Sequence, residues 1–113
     1  MKIQPTDTIA SEEMKQVYKA LADPTRRKIL QLLRERDMNA GEIAEHFDHS
    51  KPTLSRHFNV LRHADLIQGD KQGNQIIYRL NVSVLEETLL GMMEMFQIDL
   101  NGLEERQNEQ DDH

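Results

Sequence analysis

Two helix starts stand close together in the middle of the chain. Asn39-Ala40-Gly41-Glu42 has the form of a capping box, with Asn in place of the usual Ser or Thr. Ser50-Lys51-Pro52 offers a second cap, with proline in the first turn, where its missing N–H costs nothing. Only a short helix and a brief turn at Asp48-His49 fit between the two. Ile43, Ala44 and Phe47 give the short helix its inward side. The following helix, from about Lys51 to Ala64, buries Leu54, Phe58 and Leu61.

The flanks complete the pattern. Met14, Val17, Tyr18 and Leu21 recur as one helical stripe from Ser11 onward. Asp23-Pro24 starts another helix, with Ile29, Leu30 and Leu33 on its apolar side. After Asp65 the period changes. Leu66-Ile67-Gln68 and Gln75-Ile76-Ile77-Tyr78-Arg79-Leu80 read as strands, joined by the turn-rich Gly69-Asp70-Lys71-Gln72-Gly73-Asn74. Asn81 or Ser83 then caps a last helix carrying Leu85, Leu89, Met92, Met93, Phe96, Leu100 and Leu103. The expected fold is mainly α with a small β-hairpin, in the order α-α-α-α-β-β-α, a winged helix-turn-helix. Residues 1–10 are expected as a flexible arm, 11–103 as the domain, and 104–113 as a flexible acidic tail.

At 113 residues the chain makes one domain. It has no cysteine, which excludes disulfides, thiolate metal sites and a thiol nucleophile. No apolar run approaches the roughly 20 residues of a membrane helix, and the first residues lack a secretory apolar block. A cytoplasmic location is expected. No phosphate-cradling glycine loop, HExxH pair or nucleophile motif appears, so an enzyme is not expected, nor is a cofactor.

The net charge of -6 hides an uneven distribution. Residues 1–50 carry 8 basic and 9 acidic side chains, residues 51–80 carry 5 and 2, and residues 81–113 carry 1 and 9. The middle is therefore basic (5 minus 2, or +3) and the end acidic (1 minus 9, or -8). A local patch of this kind, rather than the total, decides partner choice.

The basic middle contains a helix face suited to DNA. With Leu54 at zero and about 100 degrees per residue, Phe58 and Leu61 stay on the core side. Pro52, Ser55, Arg56, Asn59 and His63 gather opposite. Arg56 can donate two hydrogen bonds to a guanine edge, Asn59 can pair with adenine, and Ser55 tolerates either. Lys51 and Thr53, at the helix start, suit phosphates beside free backbone N–H groups. An ordinary solvated face would mix Glu with Lys, whereas no acid occurs from Lys51 through Ala64. At the hairpin, Lys71, Gln72 and Asn74 surround Gly73 and suit the minor groove or its phosphates. Arg79 could face either way by strand alternation.

Asp23-Pro24-Thr25-Arg26-Arg27-Lys28-Ile29-Leu30, Ala40-Gly41-Glu42-Ile43-Ala44-Glu45-His46-Phe47 and Ser50-Lys51-Pro52-Thr53-Leu54-Ser55-Arg56-His57-Phe58-Asn59-Val60-Leu61 resemble the ArsR family of bacterial winged-helix repressors. Gly73 with Ile77-Tyr78-Arg79-Leu80 extends the likeness, which covers about residues 12–97 and is nearest the family's autorepressor branch, without a metal site. The resemblance implies a homodimer, joined through its first and last helices, that represses from a palindromic operator. Met14, Val17, Tyr18, Leu85, Leu89, Met92, Met93 and Phe96 are the expected dimerisation residues. The long apolar stripe of the last helix agrees, being more than one small chain readily buries.

Two other functions compete. A metal-responsive sensor of the same family would use thiolates, or Asp and His from paired last helices. This chain has no Cys, and residues 82–103 hold no His. Glu86, Glu87, Glu94 and Asp99 are read as a solvated face. His46 and His49 are three apart, yet they straddle a helix end, and no metal site is assigned to them. A protein–protein adaptor could use the acidic end, but it has no need of an acid-free helix face. His57 is expected as a packed, hydrogen-bonded histidine and Arg26 as a structural cation, while Arg27 and Lys28 could reach phosphates. Release from DNA is expected to involve an effector or sequestering protein.

Overall fold

The computed structural model describes residues 5–99, with side chains from Glu12 onward. The elements run α1 (Pro5–Leu21), α2 (Pro24–Glu35), β1 (Met38–Asn39), α3 (Ala40–Ala44), α4 (Lys51–His63), β2 (Ile67–Gln72), β3 (Gln75–Leu80) and α5 (Val82–Met95). The expected order holds, with one added strand. β1 pairs antiparallel with β3, Met38 opposite Tyr78 and Asn39 opposite Ile77, giving a sheet in the order β1-β3-β2. Two residues are too few to show a period, and Asn39 also serves as the cap of α3.

The starts of α2, α3 and α4 form as their caps dictate, whereas at α5 Asn81 occupies the cap position without the side-chain hydrogen bond expected of it. The Asp23 carboxylate accepts from the backbone N–H groups of Thr25 (2.8 Å) and Arg26 (3.2 Å). The Asn39 side chain accepts from Glu42 N (2.8 Å), and Glu42 returns the bond to Asn39 N (3.0 Å), a complete capping box. The Arg36 guanidinium closes on the same Glu42 carboxylate at 2.7 Å. The Asn39 N–H, and then Arg36, hold the Glu42 carboxyl below its ordinary value.

Two helix ends share one device. Asp65 and Gln97 adopt φ of 57° and 54°. The N–H of Leu66 reaches Leu61 O (3.0 Å) and that of Ile98 reaches Met93 O (2.8 Å). This Schellman closure satisfies the free carbonyls and turns the chain away. It ends α5 at Met95, earlier than the apolar period suggests, and Leu100 and Leu103 lie outside the described residues, as does the expected tail. At the other end α1 begins at Pro5 rather than Ser11. Proline at the first helical position is already shaped for the helix, so residues 5–10, expected as an arm, are helical. No described helix is long and apolar enough to cross a membrane.

The core lies where α1, α2, α3, α4 and the sheet meet. Ile29, Ile43, Leu61 and Leu66 are fully enclosed there. Val17 belongs to this core at 4% exposure, so it is not available for dimerisation as expected. The period that put it on the α1 stripe does not tell a chain's own core from a partner's. α5 is different: only Thr88 is buried along it, while Leu89, Leu90 and Met95 are exposed. A helix this apolar with so little of it buried is suited to an assembly.

Candidate nucleic-acid interface

α4 is presented by its own core side. Leu54, Phe58 and Leu61 are buried, which points the opposite side outward. Lys51, Pro52, Ser55, Arg56, Asn59 and His63 are all exposed. Among the described residues, neither the Lys51 ammonium nor the Arg56 guanidinium has an ion-pair or hydrogen-bond partner. Thr53 differs: it is half-buried, its N–H donates to Ser50 Oγ (3.4 Å), and its hydroxyl accepts from the Ser50 hydroxyl (2.9 Å). It is part of the helix cap more than a free phosphate ligand.

The hairpin is tighter than expected. β2 continues through Gln72, leaving Gly73-Asn74 as a two-residue turn with Gly73 at φ 63°. Glycine with positive φ at the first central position is the signature of a type II′ turn, which matches strand twist. Lys71 and Gln72 therefore sit on a strand, opposite Ile76 and Gln75. Backbone pairing extends the ladder through these polar residues, where side-chain hydrophobicity marks no strand. Lys71, Gln72 and Asn74 are exposed near the tip. Arg79 is committed elsewhere: its Nε donates to Gln68 Oε1 (3.2 Å) and its Nη1 lies 3.5 Å from Asp70 Oδ2.

α2 holds the assembly together behind this surface. Arg26 donates from Nη2 to Lys19 O (2.7 Å) and from Nε to Ala20 O (2.9 Å), at the end of α1. Its Nη1 lies 3.2 Å from His57 Nδ1 on α4. Arg26 is thus the structural cation expected and His57 the packed histidine. Burial first, then Arg26, His49 and Arg56, hold the His57 imidazole below its ordinary value against the opposing pull of Asp23. Arg27 donates to Leu21 O (2.8 Å), and Lys28 donates to His46 O (3.2 Å) while lying 5.0 Å from the Phe47 ring centre. Both act as ties between helices in this structure. His49 Nε2 hydrogen-bonds Thr25 Oγ1 (3.1 Å), and His46 enters through its backbone carbonyl. Among the described residues no three His, Asp or Glu side chains gather as a metal site.

The expected apolar face survives in part. On α1, Met14 and Tyr18 are half-buried; on α5, Leu85, Met92 and Met93 are half-buried, and Leu89 and Phe96 are exposed. Phe96 is 65% exposed. α5 approaches α1 at Gly91, where an added Cβ would stand 3.6 Å from Met14 Cε. The exposed side of this pair continues past the helix end to Ile98.

A profile of bacterial regulatory proteins of the ArsR family matches residues 23–68, the segment from the α2 cap to the start of β2. The chain is 50% identical over 80 residues to the transcriptional repressor SdpR of Bacillus subtilis, spanning 71% of this chain and 89% of that protein. An ArsR-like transcriptional regulator from Rhodococcus sp. superposes with a TM-score of 0.69 at 27% identity, over 88% of this chain and 90% of that one. A homodimeric winged helix-turn-helix DNA-binding domain from Mycobacterium bovis shares the fold at 22% identity and a TM-score of 0.69, over 84% and 89% of the two chains. Fold, matched segment and sequence agree: the chain belongs to the ArsR family of bacterial regulatory proteins.

Proposed function

We propose that this protein is a DNA-binding transcriptional repressor acting as a homodimer on a palindromic operator, with α4 in the major groove and the β2–β3 tip on the backbone or minor groove. One observation carries the proposal. α4 is anchored by three buried residues and turns outward an acid-free face of small polar groups with an arginine and a lysine that have no partner among the described residues. Arg56, Asn59 and Ser55 read base edges, and Lys51 meets phosphate beside the helix N-terminus. Lys71, Gln72 and Asn74 add contacts from the wing.

The exposed apolar residues of α5, together with Met14 and Tyr18, support the dimer. A symmetric pair presents two α4 helices to two half-sites. Kinship with a named repressor supports repression, and regulation of its own operon, inside the cytoplasm, is the arrangement we propose. Release by an effector or sequestering protein suits the residue chemistry, because the chain has no Cys and no His between residues 82 and 103. Gel-shift titration on DNA upstream of its own coding sequence tests the reading. Binding that competitor DNA of unrelated sequence does not displace is expected; equal affinity for both DNAs at moderate salt contradicts it.

A further inference from the structure

Arg26 occupies three positions at once. Two of its nitrogens hold the Lys19 and Ala20 carbonyls near the end of α1, and the third faces His57 on α4. Arginine has no lone pair to offer, so His57 Nδ1 must be the acceptor. The imidazole is then neutral, with its proton on Nε2. A proton added at Nδ1 would turn the acceptor into a donor and set an imidazolium against a guanidinium.

We propose that the Arg26–His57 contact is a proton-sensitive positioning device, through which the end of α1 fixes the orientation of the DNA-reading helix. The proposal rests on the assignment of α4 to DNA and adds regulation to it. Asp23 and Arg26 face His57 from α2, and His49 faces it from the α3–α4 connection with ring centres 6.2 Å apart. Arg56 lies beside it on α4. α1 contributes the two carbonyls that Arg26 already fills. Asp23 is the one neighbour that favours the proton, and its carboxylate is already shared with the Thr25 and Arg26 N–H groups.

The direction follows from the surroundings. Burial and the neighbouring cations keep His57 below the ordinary histidine value of 6.5. The unfolded chain therefore takes up this proton before the folded one does. The contact is complete above that value and is lost as pH falls through the folded-state value. Loss of the contact removes the Arg26 tie between α4 and the end of α1, leaving only their direct packing, and weakens operator binding. Positive charge added elsewhere on the DNA-facing surface acts in the opposite sense.

Operator affinity of the full chain is measured at about pH 7.5 and about pH 5.5, at constant salt, for wild type and His57→Asn. Asn places an oxygen near the Nδ1 position and does not titrate there. Wild type should weaken at the lower pH by up to about tenfold, the ceiling for one group that must stay unprotonated and whose midpoint lies below 6.5. The H57N ratio should stay near unity or favour the lower pH. An NMR titration of wild-type His57 without DNA should give a midpoint below 6.5. Equal pH ratios for the two proteins, or a His57 midpoint at or above the ordinary value, would overturn the proposal. Wild type that binds no operator at either pH overturns the assignment of α4 itself, and this role for His57 with it.

Discussion

The ring of Phe58 stacks on the ring of Tyr78, with centres 5.1 Å apart and planes 24° from parallel. Phe58 belongs to α4 and Tyr78 to β3, so this contact locks the helix to the base of the wing. Both are buried, at 6% and 7% exposure. Tyr78 also faces Met38 of β1 and Gly69 of β2 in the sheet. The two surfaces assigned to DNA therefore share one rigid joint. Tyr78→Ala should cost about 3–5 kcal/mol, as for other large aromatic truncations, measured by urea unfolding. Tyr78→Phe keeps the stack and should cost far less.

Arg56 and Lys71 separate base reading from phosphate attraction. Arg56→Ala should cost about 1–3 kcal/mol on the operator and narrow the gap to unrelated DNA. Lys71→Ala should weaken all sequences alike and reduce the slope of log affinity against log salt by about 1. Gel-shift titrations over a salt series check both.

The Asp23 cap gives a second pH dependence, carried by a carboxyl rather than an imidazole. Burial raises its carboxyl, but the Arg26 and Thr25 N–H groups, with His57 and Arg26 charge, more than offset this and leave it below 3.8. Its folded-state value is depressed, so its contribution is full above the unfolded value and is lost as pH falls through the folded one. Asp23→Asn keeps a capping oxygen without the titration. The variant should lose less stability than wild type as pH drops below 3.8, by thermal unfolding. Asp23→Ala should cost about 1 kcal/mol at neutral pH.

The apolar side of α5 should hold the dimer. Leu89→Glu with Phe96→Glu places two charges where Leu89 is 49% and Phe96 65% exposed in the single chain. Sedimentation should shift from dimer to monomer, and operator affinity should fall because half-sites are then bound singly. An unchanged dimer would move the interface elsewhere.

Much of this was legible in the sequence because it is local. The caps at Asp23, Asn39 and Ser50 form among neighbours a few residues apart. The outward face of α4 follows from helical angle alone, and its buried partners are as expected. What escaped depends on distant partners or on single dihedrals. β1 exists because Met38 meets Tyr78 across the sheet. The commitments of Arg27 and Arg79 depend on which carbonyl or carboxylate comes within reach. The stop after Met95 needs a left-handed Gln97, which no periodicity announces. Val17 faces its own core rather than a partner, a distinction that needs the other helices in place.

Footprinting on the DNA upstream of the coding sequence tests the central claim most directly. Two α4 helices related by symmetry should protect two major-groove segments about 34–36 Å apart, or a multiple of that spacing. Arg56→Ala should reduce protection at the base it reads while leaving the Asn59 and Ser55 contacts and the backbone contacts from the wing. Uniform protection with no spacing, or base contacts that persist without Arg56, Asn59 and Ser55, would contradict the account.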